Sequence, residues 1–183
     1  MKHVIDHETL WIPLKDGCRL AARIWLPDDA ETSPVPAILE YLPYRRRDGT
    51  IVRDELTHPY FAARGYACVR VDMRGSGDSD VLLFDEYALQ EQTDALEVID
   101  WITSQSWCSG SVGMMGISWG GFNALQVAAH KPKALKAIIT LCSTADRYAT
   151  DIHYKGGALL LENLGWASTF FAYQSRPPDP LVV

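Results

Sequence analysis

The chain has 183 residues, 48% of them hydrophobic and 22% charged, with a formal net charge of −6. That length fits one domain with a sizeable core, and the acidic balance argues against a nucleic-acid partner. No run reaches the ~18 apolar residues of a membrane span, and the start Met1-Lys2-His3-Val4-Ile5-Asp6 lacks the apolar stretch of a secretory signal.

Taken in chain order, Leu10 to Leu14 and Arg19 to Leu26 read as strands joined by the turn Lys15-Asp16-Gly17-Cys18. The second alternates, with Leu20, Ala22, Ile24 and Leu26 on one side and Arg19, Ala21, Arg23 and Trp25 on the other. An opening antiparallel hairpin with one solvated face is expected. Ala37 to Tyr41 is short and apolar, as a buried strand is. The charged stretch Pro43 to Thr50 reads as a loop, and its Arg45-Arg46-Arg47 as solvated. Pro59 to Arg64 reads as a helix end closed by Gly65. Tyr66 to Asp72 is the next strand, followed by a Gly/Ser/Asp loop from Met73 to Asp80. Leu89 to Trp101 has amphipathic helical spacing, with Ile102 continuing the apolar series.

Gly116-Ile117-Ser118-Trp119-Gly120 has the G-x-S-x-G form of a nucleophile elbow. Five letters of Gly and Ser arise by chance, and a glycine-rich turn with a solvated serine is the plain alternative. The context favours the elbow. Val112 to Ile117 reads as a buried strand, Ala124 to Ala129 continues at helical spacing, and His130-Lys131-Pro132 ends that helix. In such an elbow a strained turn lifts the Ser118 hydroxyl clear of the sheet, and only Gly is expected to fit at 116 and 120. Leu135 to Leu141 is one more strand.

From residue 37 strands and helices alternate, which predicts a mainly parallel sheet with helices on both faces and a site at the strands' carboxyl ends. Tyr44, Ser118 and the stretch from Asp72 to Asp78 lie just past such ends. From Thr144 the chain turns polar and aromatic. Ala158 to Leu164 and Trp166 to Tyr173 read as helical pieces, and Gln174 to Pro180 is proline-rich. The expected division is 1–143 for the sheet domain and 144–183 for the start of a helical cap. Cys18, Cys68, Cys108 and Cys142 fit no metal or redox spacing, and Cys68 and Cys142 sit in apolar runs as buried thiols would. A reducing, cytoplasmic setting is the expectation.

Three phrases occur in fixed order: Tyr41-Leu42-Pro43-Tyr44, the run Gly65 to Ser79 containing Asp72-Met73-Arg74-Gly75-Ser76-Gly77-Asp78, and the run Trp107 to Gly121 containing the elbow. Together they closely resemble the CocE/NonD hydrolases, which include cocaine esterase-like enzymes, α-amino-acid ester hydrolases and S15-type Xaa-Pro dipeptidyl-peptidases. The resemblance implies an α/β-hydrolase core, a helical cap and a C-terminal jelly-roll domain. It implies that Ser118 is the nucleophile, that the Trp119 backbone N–H is one oxyanion-hole donor, and that the Tyr44 hydroxyl is the other. For Tyr44 the alternative is a loop aromatic packed on the core. It also matches Asp72, Arg74, Gly75 and Asp78 to a loop beside the site, where a structural role is expected.

A serine hydrolase needs a base and an acid, in this fold ordered after the serine. His130 closes the elbow helix, His153 lies in the cap, and His3, His7 and His58 have no motif support. The expectation is therefore a core incomplete at its C-terminal side, with nucleophile and oxyanion donors but no triad partners. The substrate would be a small-molecule ester or amide, or a short peptide cut at Xaa-Pro. No cofactor and no metal are expected. An inactive truncated domain or interaction module is the alternative reading, and exposed sheet edges would invite self-association.

Overall fold

The computed structural model describes residues 1–183. Strands β1 (Val4–Pro13) and β2 (Arg19–Pro27) form the opening antiparallel hairpin. Then come β3 (Val35–Leu42), α1 (Ile51–Ala62), β4 (Ala67–Asp72), α2 (Leu89–Thr103), β5 (Cys108–Ile117), α3 (Trp119–Ala129) and β6 (Leu135–Leu141). The sheet order is β1-β2-β4-β3-β5-β6. Strands β4, β3, β5 and β6 run parallel, and β2 joins β4 antiparallel.

Strand parity sorts the core onto two faces. Leu20, Ala22 and Ile24 of β2, Leu39 of β3, Val69 and Val71 of β4 and Met114 of β5 bury against Ala95, Val98, Ile99 and Ile102 of α2 and Ala124 and Val127 of α3. The opposite face carries Trp25 and Cys68 under Ala62 of α1. The expected solvated face of the hairpin is thus corrected. Trp25 is 1% exposed, because α1 covers it and His58 stacks on its indole at 4.8 Å. Burial pushes the Cys68 thiol up to about 12, whereas Cys142 is exposed, since the chain leaves the sheet just after β6. Strand β6 is an edge strand with Ile139 and Leu141 more than half exposed.

The arginine run is corrected too. Arg46 is 1% exposed and Arg45 6%. The Arg46 guanidinium donates to Asp78 at 2.9 Å, and its backbone N–H donates to Asp72 at 2.8 Å. Arg45 donates to the carbonyls of Arg176 and Pro177, and Arg47 pairs with Asp179. This loop therefore ties the sheet edge to the end of the chain. Buried acids required it: Asp72 and Asp78 are both almost fully enclosed and need cationic partners.

Past β6, the expected helical piece Ala158 to Leu164 is instead a small hairpin of β7 (Tyr154–Lys155) and β8 (Ala158–Leu159), with α4 (Asn163–Gln174) following. The cause is Gly156-Gly157, both with positive φ, which close a two-residue turn. A Cβ at Gly157 would lie 2.4 Å from the Tyr148 ring. No helix of the chain is long and apolar enough to cross a membrane.

Candidate active site

Strands β3 and β5 are parallel neighbours whose following connections leave in opposite directions, to β4 and to β6. Such a switch point opens a crevice at the carboxyl ends of the strands. Tyr44 lies two residues past the end of β3, and Ser118 immediately follows β5.

Ser118 has φ 55° and ψ −118°, a conformation costing a non-glycine residue about 1–3 kcal/mol. Its backbone N–H donates to Leu141 at 2.8 Å, and its carbonyl accepts from Phe122 at 3.0 Å. A Cβ at Gly116 would lie 2.4 Å from the Gly120 carbonyl carbon, so position 116 admits only glycine while the helix stays put. Position 120 is looser, with Leu42 Cδ2 as the first contact at 3.2 Å. Gly121 is the tighter of the two, facing Ser143 Oγ at 2.8 Å and the Leu141 carbonyl at 2.9 Å.

Trp119 is the first residue of α3, where the helix dipole leaves partial positive charge on the free N–H groups. Its backbone N–H donates to the Tyr44 hydroxyl oxygen at 3.3 Å. The three residues singled out in the sequence therefore meet at one point. The Trp119 indole is buried, donates from Nε1 to Glu91 at 2.9 Å, and stacks on Phe170 of α4 at 5.4 Å. Phe170 also meets the Tyr44 ring edge-on at 6.4 Å. A cavity of about 220 Å³ opens on the Tyr44 side, lined by Trp166, Phe170 and Tyr173. Another of about 410 Å³ opens on the Trp119 side, with Asp85, Glu86 and His153 in its wall. Trp166 and Phe170 are common to both.

The loop after β4 frames the crevice. Gly75 has φ +71°, and a Cβ there would lie 2.0 Å from the Leu83 nitrogen. Arg74 bridges Asp94 and Asp16, each at 2.8 Å, and these partners hold its guanidinium in the charged form. The histidines that make side-chain hydrogen bonds make them to residues other than Ser118: His58 with Glu40, His130 with Gln92, and His153, in the wall of the Trp119-side cavity, with Asn163.

Glu40, Asp54 and His58 bring their ligand-type atoms within 4.8 Å of one another, a grouping that sequence spacing did not reveal. Arg53 donates to Glu40 and Asp54, both at 2.8 Å, and Arg70 sits 3.2 Å from Asp54. Two guanidiniums thus balance the carboxylates, and the group reads as an ion-paired clamp between α1 and the sheet. Its sequence signal was Glu40 and Arg70, charged residues inside runs that otherwise read as buried strands. Glu91 and Phe170 carried no such signal.

A parallel-sheet α/β-hydrolase core with a serine on a strained strand-to-helix turn is thus the class of protein. Residues 16–182 match the X-Pro dipeptidyl-peptidase (S15) family, and the chain belongs to that family. It is 35% identical over 159 residues to cocaine esterase from Rhodococcus sp. (strain MB1 Bresler), covering 86% of this chain and 27% of that protein. A CocE/NonD family hydrolase from Staphylococcus aureus superposes with a TM-score of 0.77 at 23% identity, over 98% of this chain and 35% of its own. An α-amino-acid ester hydrolase gives 0.76 at 25% identity, over 94% and 31%. The chain therefore spans roughly a quarter to a third of the length of these proteins.

Proposed function

We propose that the protein carrying this chain is a serine hydrolase acting on esters or amides, the Xaa-Pro peptide bond among them, through an acyl-enzyme on Ser118. The observation that carries this reading is the meeting of Tyr44 Oη and Trp119 N–H, 3.3 Å apart, beside the strained Ser118. In the reaction, Ser118 Oγ attacks the carbonyl carbon and its proton passes to a base. The carbonyl oxygen, now negative, replaces Tyr44 Oη as acceptor of the Trp119 N–H and takes a second hydrogen bond from the Tyr44 hydroxyl. The leaving group departs with the proton, and water repeats the sequence on the acyl-enzyme.

In this reading the base and its orienting acid come from outside these 183 residues, since the side-chain hydrogen bonds of His58, His130 and His153 go to Glu40, Gln92 and Asn163 rather than to Ser118. The isolated chain is then inactive on esters. Family membership and the cocaine esterase likeness support hydrolysis, and the apolar cavity beside Tyr44 supports a small, largely apolar substrate. The test is labelling of the full-length protein with a fluorophosphonate. Loss of labelling and of p-nitrophenyl ester turnover in Ser118→Ala is expected. Labelling that ignores the substitution overturns the assignment.

A further inference from the structure

Glu91 is 4% exposed in the first turn of α2, far in sequence from the elbow. Its Oε2 accepts the Trp119 indole N–H at 2.9 Å, while its Oε1 is buried with no partner. We infer that Glu91 is a positioning residue for the oxyanion site: it anchors the Trp119 indole, and through it the Trp119 backbone N–H. This rests on the Ser118 reading above.

Three observations carry it. First, helix α3 begins without a side-chain cap, since Ser118 makes no capping hydrogen bond. Beyond the elbow itself, the first N–H of the helix is held only by the long 3.3 Å bond to the Tyr44 hydroxyl, which an incoming oxyanion would displace. The indole is the other handle on residue 119. Second, that handle is held on three sides: Glu91 at its nitrogen, the Tyr87 ring at 4.9 Å and Phe170 at 5.4 Å. Stacking lets a ring slide in its plane, whereas a hydrogen bond at the ring edge sets its position. Third, a buried indole N–H needs only a neutral acceptor. A carboxyl group that leaves one oxygen unpartnered is costlier to bury than a fully satisfied group. Buried, under-satisfied acids of this kind concentrate at functional sites.

The surroundings supply the pH response. Tyr41 from β3, Arg74 from the loop after β4, and Asp85 and Asp94 line a cavity of about 90 Å³ together with Glu91. Arg74 is already committed to Asp94 and Asp16, so no cation is left for Glu91. From α3 it receives only the uncharged indole. From its own segment it faces Glu86 and the backbone N–H groups of Tyr87 and Ala88. Burial is the largest effect and pushes the carboxyl up to about 7, against the pull of those N–H groups and the indole. The charge-assisted bond to the indole is therefore at full strength above neutrality and weakens as pH falls through about 7.

The experiment uses the full-length protein and a p-nitrophenyl ester, with kcat expressed per fluorophosphonate-titrated site. Glu91→Leu is expected to lower kcat by about 10- to 100-fold with little change in KM, since the oxyanion donor shifts while the substrate pockets remain. Glu91→Gln keeps an acceptor and is expected to recover most of that loss. In fluorotryptophan-labelled protein, the fluorine NMR signal assigned through Trp119→Phe should titrate near neutrality in the wild type and stay flat in Glu91→Gln. Unchanged kcat per site in Glu91→Leu overturns the inference, and so does a titration that survives in Glu91→Gln. If Glu91→Leu fails to fold, the Gln variant and the NMR titration decide alone. In either of those failures Ser118→Ala is still inactive. Turnover that persists in Ser118→Ala instead removes the nucleophile reading and this inference with it.

Discussion

Tyr44 and Trp119 stand 75 positions apart in the chain, yet the phenol oxygen of one lies 3.3 Å from the backbone nitrogen of the other. Parallel pairing of β3 with β5 brings about this approach, because it ends both strands at one level. If both groups serve the oxyanion, Tyr44→Phe removes one donor and leaves the ring and its contact with Phe170. An ester kcat lower by about 10²–10³-fold, with KM little changed, is expected from steady-state kinetics of the full-length protein.

Glu91 gives a stability prediction with a definite sign. Its carboxyl sits near 7 in the folded chain against an ordinary 4.5. A raised folded value means the folded state holds the proton more tightly. That contribution is fully present below about 4.5 and is lost as pH rises through about 7. The ceiling is about 3 kcal/mol. Glu91→Gln should thus be more stable than wild type at pH about 8, with the advantage shrinking toward pH about 5. Urea unfolding of both proteins at the two pH values measures it. Acids common to both, such as Asp48 and Asp80, cancel in the difference.

Arg46 is buried between Asp72 and Asp78. Arg46→Met leaves two enclosed carboxylates short of their cation, and about 3–5 kcal/mol of stability should go with it. Chemical denaturation should show the loss. A change under about 1 kcal/mol would mean that Arg70, Arg47 and the backbone donors suffice for those acids.

The two elbow glycines should respond differently. Gly116→Ala drives a methyl group into the Gly120 backbone, and severe loss of Ser118 phosphonylation or of folding is expected. Gly120→Ala meets only the Leu42 side chain at 3.2 Å, which can yield, and alanine is about 1 kcal/mol better than glycine inside a helix. Its thermal midpoint should move by a few degrees at most. Equal damage from the two substitutions would contradict the geometry.

Strand β6 presents an open edge with Ile139 and Leu141 exposed. The isolated 183-residue chain should self-associate through it, and Ile139→Lys should shift sedimentation toward the monomer. Concentration-independent monomer in the unmodified chain would sink this expectation.

Much of this architecture was readable because it is locally encoded. The apolar runs of β3 and β4, the elbow and the helix behind it follow from composition, periodicity and glycine placement. What escaped the sequence depended on distant partners. Trp25 reads as surface until α1 and His58 are laid over it. The Arg45-Arg46-Arg47 run reads as solvated because its acids lie 26 and 32 residues beyond Arg46. Glu91 looks like an ordinary polar residue of an amphipathic helix, since its indole partner is 28 residues away. The hairpin at Gly156-Gly157 is the exception: its turn signal is local, and the helical spacing of the apolar residues after it masked that signal.

Phe170 touches the rings of both Tyr44 and Trp119 and forms part of the wall of each cavity. Whatever occupies either cavity leans on the side chain that braces the two donors. If Tyr44 and Trp119 serve the oxyanion as proposed, selectivity and turnover share this residue and cannot be tuned separately there. A library that varies position 170 to admit bulkier acyl groups should return variants whose gains in scope come with slower chemistry. Positions that line only one cavity, such as Tyr173 or Leu159, are the better starting points for redesign.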